Sequence, residues 1–78
     1  MRVEGLFVSV DSISLDRVDS QVLAQLCSGV KDETAAREMD VSVRTYRRYV
    51  ARILRTLNAK SRFQAGIKAA ELGLVDIG

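Results

Sequence analysis

The stretch Asp40–Asn58, DVSVRTYRRYVARILRTLN, divides into two faces when it is wound as a helix. With successive residues about 100° apart, Val43, Tyr46, Tyr49, Val50, Ile53, Leu54 and Leu57 fall on one broad apolar arc. Arg44, Arg47, Arg48, Ala51 and Arg55 lie opposite, with Arg52 at the edge. Ser42 stands where its hydroxyl caps the first turn, and Asn58 suits the left-handed position that ends the last. The pattern predicts a helix from about Ser42 to Leu57, half core and half arginine.

Charge sharpens this reading. Between Ser42 and Arg62 stand seven basic residues and no acidic one: Arg44, Arg47, Arg48, Arg52, Arg55, Lys60 and Arg62. The rest of the chain carries five basic and ten acidic residues, so the net +2 conceals a +7 block on a −5 remainder. Exposed helices commonly mix signs for i,i+4 support, and this one does not. A single-sign block on an acidic chain makes a local field that attracts a polyanion.

Working outward, three more helices are predicted. One runs from about Arg17 to Ser28, with Leu15, Val18, Val22, Leu23 and Leu26 at helical spacing. Asp16 caps it, Asp19 sits at the capping-box position, and Gly29 supplies the left-handed end. A short helix follows from about Glu33 to Met39, capped by Asp32, with Ala35, Ala36 and Met39 inward. Asp40 then occupies a sharp turn, where aspartate tolerates a left-handed backbone. The last helix opens at Ser61, with Gln64 completing an S-x-x-Q capping box, and ends at Gly73. Phe63, Ile67, Ala70 and Leu74 are expected to face the core. The small apolar side formed by Ala65, Ala69 and Leu72 suits either close association with a helix of a second copy or simple burial within the chain. Residues 1–14 read as an extended arm or linker, β-prone from Val3 to Val10, and residues 15–78 as one all-α domain.

Seventy-eight residues leave no room for a catalytic domain, and every apolar face must be used. There is no histidine and one cysteine, Cys27, which reads as a small core or boundary residue. Without an acid/base or nucleophile constellation, no enzyme, metal site or cofactor is indicated. No apolar run approaches the ~20 residues of a membrane span, and no signal peptide is visible. A reduced, cytoplasmic setting is expected.

A short helix, a tight connection and an arginine-faced helix together make a helix-turn-helix, which lays the start of its second helix in the major groove of duplex DNA. The planar fork of arginine bonds guanine O6 and N7 together. Arg44, Arg47 and Arg48 are thus the candidates for reading bases, and Ala51 is short enough to admit the groove edge or touch a thymine methyl. Thr45, Tyr49, Arg52, Lys60, Ser61 and Arg62 are the candidates for contacting phosphates, helped by the amides that open the last helix.

Leu15 to Val75 resembles the C-terminal helix-turn-helix domain of the LuxR/NarL/GerE type. The resemblance rests on V-L-x-x-L-x-x-G at Val22–Gly29, V-S-x-R-T at Val41–Thr45, R-I-L-x-x-L at Arg52–Leu57, Ser61–Arg62 and the terminal L-G-L-V. It implies a four-helix bundle in a bacterial transcription regulator, its third helix reading DNA and its fourth pairing two copies on an inverted repeat. It also implies RNA polymerase as a further candidate partner, and either a receiver or ligand-binding domain ahead of this segment, as in response regulators, or a stand-alone regulator. By position, Arg47, Arg48 and Ala51 match base-contacting residues, and Thr45, Tyr49, Lys60 and Ser61 match backbone-contacting ones.

The sequence departs from that pattern in several places. Asp16-Arg17 stands for Thr-Pro, Asp19 for glutamate, and Asp40 and Asn58 for glycines. Lys31 replaces a serine cap, so either Asp32 takes over the capping or that helix end frays. Ala35 replaces isoleucine while Tyr46 replaces valine, an exchange of volume across the core. Tyr49 stands where histidine is common. Two other readings compete: a promoter-reading module like sigma-factor region 4, and a protein-interaction module of the same fold. The helix after Ser61 argues against the first.

Overall fold

A computed structural model describes residues 15–75 of the chain. It contains α1 (Arg17–Ser28), α2 (Asp32–Glu38), α3 (Val43–Thr56) and α4 (Arg62–Glu71), with no strand among the described residues. The arm expected over residues 1–14 lies outside the described residues.

Local chemistry sets most helix ends. Asp16 accepts the N–H of Asp19 at 2.8 Å, and the Asp19 carboxylate accepts the N–H of Asp16 at 3.4 Å, closing the expected capping box of α1. Gly29 ends that helix at φ 78°. Asp40 and Asn58 have φ 60° and 53°, the left-handed positions foreseen for them. After α2, α3 and α4 the chain closes in one manner. The N–H of Val41 reaches Ala36, that of Ala59 reaches Leu54, and that of Leu74 reaches Ala69, at 2.8–3.0 Å. These are the six-to-one bonds of a Schellman ending, which satisfy carbonyls the helix leaves open.

The start of α2 differs from expectation. Lys31, not Asp32, has the extended cap geometry, and no side chain bonds the first-turn amides there. Asp32 lies one residue inside the helix, with its carboxylate engaged elsewhere. Gln64 also departs slightly: its Oε1 accepts the N–H of Lys60 at 2.6 Å, one residue before the Ser61 cap.

α3 is the hub, packing against each of the other three helices, and α4 returns onto α1. The largest fully buried side chains are Tyr46, Leu23, Ile53 and Val22, with Val50 and Leu57 beside them. Ala35, Ala36, Ala65 and Ala69 complete the interior and let the helix backbones approach closely. Both ends of the Ala35/Tyr46 exchange are therefore core residues.

This packing reverses the expected faces of α4. Ala65 and Ala69 are fully buried within the chain, and Leu72 is partly buried against the core, so this side is largely used within the chain. Phe63 is instead 79% exposed and Ile67 43%, with Ala70 also outside. Of the four residues expected inward, only Leu74 packs on the core. Where α4 crosses α1 and α3, beside Tyr46, Leu23, Ile53 and Val22, its buried side chains are the single methyl groups of Ala65 and Ala69.

Ala69→Leu is therefore expected to destabilise the fold by about 1–3 kcal/mol through overpacking. Phe63→Ala should change stability by no more than about 0.5 kcal/mol. Urea unfolding of both variants checks the assignment; the reverse order would restore the original faces.

Candidate nucleic-acid interface

α3 begins at a well-formed turn. Ser42 Oγ accepts the N–H of Thr45 at 3.0 Å and donates to Thr45 Oγ1 at 3.1 Å. The cap and the left-handed Asp40 before it aim the first turns of α3 outward from the bundle. On that outward side Arg44, Arg47, Arg48, Ala51 and Arg55 are all exposed, while Tyr46, Val50 and Ile53 are buried behind them. Arg48, Tyr49, Ala51, Arg52 and Arg55 line one shallow depression, with the methyl of Ala51 leaving room between the guanidinium groups.

The arginines of this block are not equivalent. Arg52 turns back into the protein: its Nε donates to Asp19 Oδ1 at 3.0 Å and its Nη2 to the same oxygen at 2.5 Å. Its guanidinium carbon also lies 5.5 Å from the centre of the Tyr49 ring, a cation–π arrangement. The Asp19 hydrogen bond and charge push the Arg52 pKa above its ordinary value. Arg52, expected to meet phosphate, is thus a tie between α3 and the cap of α1. Tyr49 is half-buried beneath it.

Asp32 makes a second tie. Its Oδ1 accepts Arg62 Nη1 at 2.6 Å and its Oδ2 accepts Arg62 Nη2 at 3.1 Å, a two-pronged pair. Arg47 Nε donates to the same Oδ2 at 2.9 Å. One carboxylate at the start of α2 thereby joins α3 and the first residue of α4. The hydrogen bonds from Arg62 and then Arg47 pull its pKa down to about 2, against the opposing effect of burial. The same contact raises the Arg62 pKa, foremost through its hydrogen bond to Asp32. Burial, followed by the charge of Asp32, raises that of Tyr46.

Of the predicted base readers, then, Arg44 and Arg48 have no ion pair among the described residues, Arg47 is anchored through Nε, and Ala51 lies between them on the exposed face. Of the predicted phosphate contacts, Thr45 is engaged by Ser42 and Arg62 by Asp32. Lys60 and Ser61 are exposed at the mouth of α4, with Ser61 Oγ accepting the N–H of Gln64 at 3.1 Å. Sequence reasoning missed Asp19 and Asp32 as partners of the arginine helix. A signal existed: seven bases without an acid of their own require counter-charges from other elements, and both aspartates stand in first helical turns. It also missed Lys68, whose Nζ donates to the carbonyls of Leu57 and Asn58 at 3.2 and 2.8 Å and satisfies the end of α3. Cys27 is half-buried, and burial raises its thiol pKa, which suits a boundary packing residue.

Comparison with known proteins agrees with this geometry. Residues 14–69 match the model of the family described as bacterial regulatory proteins, luxR family. A curated relative, the bialaphos biosynthetic pathway regulatory protein of Streptomyces hygroscopicus, is 36% identical over 67 residues. The match covers 86% of this chain and 26% of that protein, so the chain spans about a quarter of its relative's length. No solved structure matches the chain. No described helix is long and apolar enough to cross a membrane.

The Asp32 clamp has a pH signature. Its carboxyl titrates at about 2 when folded and at the ordinary 3.8 when unfolded. A depressed folded pKa contributes stability that is fully present above 3.8 and is lost as pH falls through that window toward about 2. Asp32→Asn should lower stability at neutral pH and flatten its loss across the window, measured by urea unfolding at stepped pH. Parallel acid profiles for the variant and the parent chain would contradict the clamp.

Proposed function

The chain belongs to the LuxR family of bacterial regulatory proteins, and on that premise we propose that it binds duplex DNA sequence-specifically to regulate transcription. The observation that carries the reading is the outward face of α3. Arg44, Arg47, Arg48, Ala51 and Arg55 are exposed along the second helix of a helix-turn-helix, and no acidic residue stands among them. With the first turns of α3 in the major groove, Arg48 and Arg47 address base edges and Arg44 flanks them. Ala51 keeps the groove floor clear. Arg55, Lys60 and the α4 amides opened by Ser61 meet phosphates. Arg52 and Arg62 act chiefly as braces through Asp19 and Asp32. The regulatory role named for the Streptomyces relative is compatible with this reading, which places the chain in the cytoplasm with the chromosome.

Two copies on an inverted repeat would meet through the outer side of α4. The side facing outward carries Phe63, Ile67 and Ala70, and this is the pairing surface proposed, replacing the buried Ala65 and Ala69. An exposed phenylalanine beside an isoleucine is the kind of apolar patch that a partner covers.

Two measurements test these statements. Arg48→Ala should cost roughly 1–3 kcal/mol of binding to a selected duplex and relax its base preference. The logarithm of affinity should fall linearly with that of salt; equal losses on selected and random duplexes would move Arg48 to the phosphate class. Phe63→Glu should abolish cooperative binding to a two-half-site duplex, and unaltered self-association in the ultracentrifuge would remove α4 as the pairing surface.

A further inference from the structure

We propose that Asp32 is a positioning residue that sets base discrimination by holding Arg47 in the orientation required to read guanine. The inference rests on the DNA-binding reading above and adds a residue to it. Asp32 lies on α2, off the recognition helix, and its side chain is only 14% exposed, against 57% for Arg47. The pair therefore has a sheltered base and a projecting tip. Asp32 is itself held, because the two Nη groups of Arg62 occupy both its oxygens. Arg47 engages it through Nε alone, which leaves the end-on edge formed by Nη1 and Nη2 without a partner among the described residues. Those two nitrogens are the donors that guanine O6 and N7 accept end-on.

An arginine anchored at Nε has surrendered much of its rotamer freedom before meeting DNA, so less is lost on binding in the reading geometry. The carboxylate has an opposite effect on indiscriminate binding. It places a negative charge behind a phosphate-seeking surface and offsets attraction to any duplex. Asp32 thus favours discrimination over affinity. Arg44 and Arg48 have no such brace among the described residues.

The test uses the 78-residue chain, duplexes it selects from a random-sequence pool, and the same duplexes with single guanines replaced by 7-deazaguanine, which lacks the N7 acceptor. Arg47→Ala identifies the guanine whose replacement penalty depends on Arg47. At that guanine the parent chain should show a penalty of about fivefold or more, the lower range for one bidentate contact. Asp32→Ala should reduce the penalty to below about half while affinity for random duplex holds or rises. In an Arg47→Ala background, Asp32→Ala should leave discrimination unchanged. A full penalty retained in Asp32→Ala would overturn the proposal, as would equal losses on selected and random duplexes. Circular dichroism monitors folding, and should Asp32→Ala not fold, Asp32→Asn carries the same readouts with a smaller effect. Failure of the parent chain to retain any duplex would overturn the DNA-binding reading itself, a result distinct from both.

Discussion

The contact between Asp19 and Arg52 joins the capped first turn of α1 to the middle of α3, and the rest of the domain is arranged around that junction. Asp19 is among the buried residues, and the Arg52 guanidinium gives its carboxylate two hydrogen bonds. A buried carboxylate is tolerable only with such partners, and the capping bond to the Asp16 amide completes them. The tie is directional, which hydrophobic contact is not. Apolar packing alone would let α3 rotate by a fraction of a turn; an arginine fork seated on a fixed carboxylate resists this. With α3 held in rotation about its axis, the opposite set of arginines points out of the bundle.

The arginine-rich helix thereby divides its charges between two tasks. Arg52 faces the protein and is consumed as a brace, with the Tyr49 ring beneath it. Arg47 stands between, anchored at one nitrogen by Asp32. Arg44, Arg48 and Arg55 remain on the exposed side. Asp32 gathers α2, α3 and α4 at one point through Arg47 and Arg62, so the two acids hold α3 at separate positions, Arg47 and Arg52. The same cation type serves as a strut or stays exposed, and only the location of the counter-charge distinguishes the two.

Features that depend on neighbours along the chain were legible from the residues. The caps at Asp16, Ser42 and Ser61, and the left-handed turns at Asp40 and Asn58, are decided by side chains one to four residues away. The split of α3 was equally plain, because seven apolar residues share one arc and arginines hold the other. The α4 helix defeated that method. It carries small and large apolar residues on different sides, and periodicity cannot rank one apolar stripe above another. Asp32 was misread for a related reason. An aspartate near a helix start has two uses, capping its own amides or bonding a distant cation, and the second depends on residues 15 and 30 positions away.

By itself, then, the sequence determined that the chain is all-helical over this region, where its helices turn, and that one helix bears a basic face suited to a polyanion. These follow from local sterics, capping chemistry and the helical period. Tertiary structure decided which side of α4 is interior: the fold turns Ala65 and Ala69 onto the core that holds Tyr46, Leu23 and Ile53, and leaves Phe63 and Ile67 outside. It also decided which arginines are tied to the protein by an ion pair, because such a pair forms only where packing brings a carboxylate within reach. Charge is written in the sequence, but the distance between charges is set by the fold.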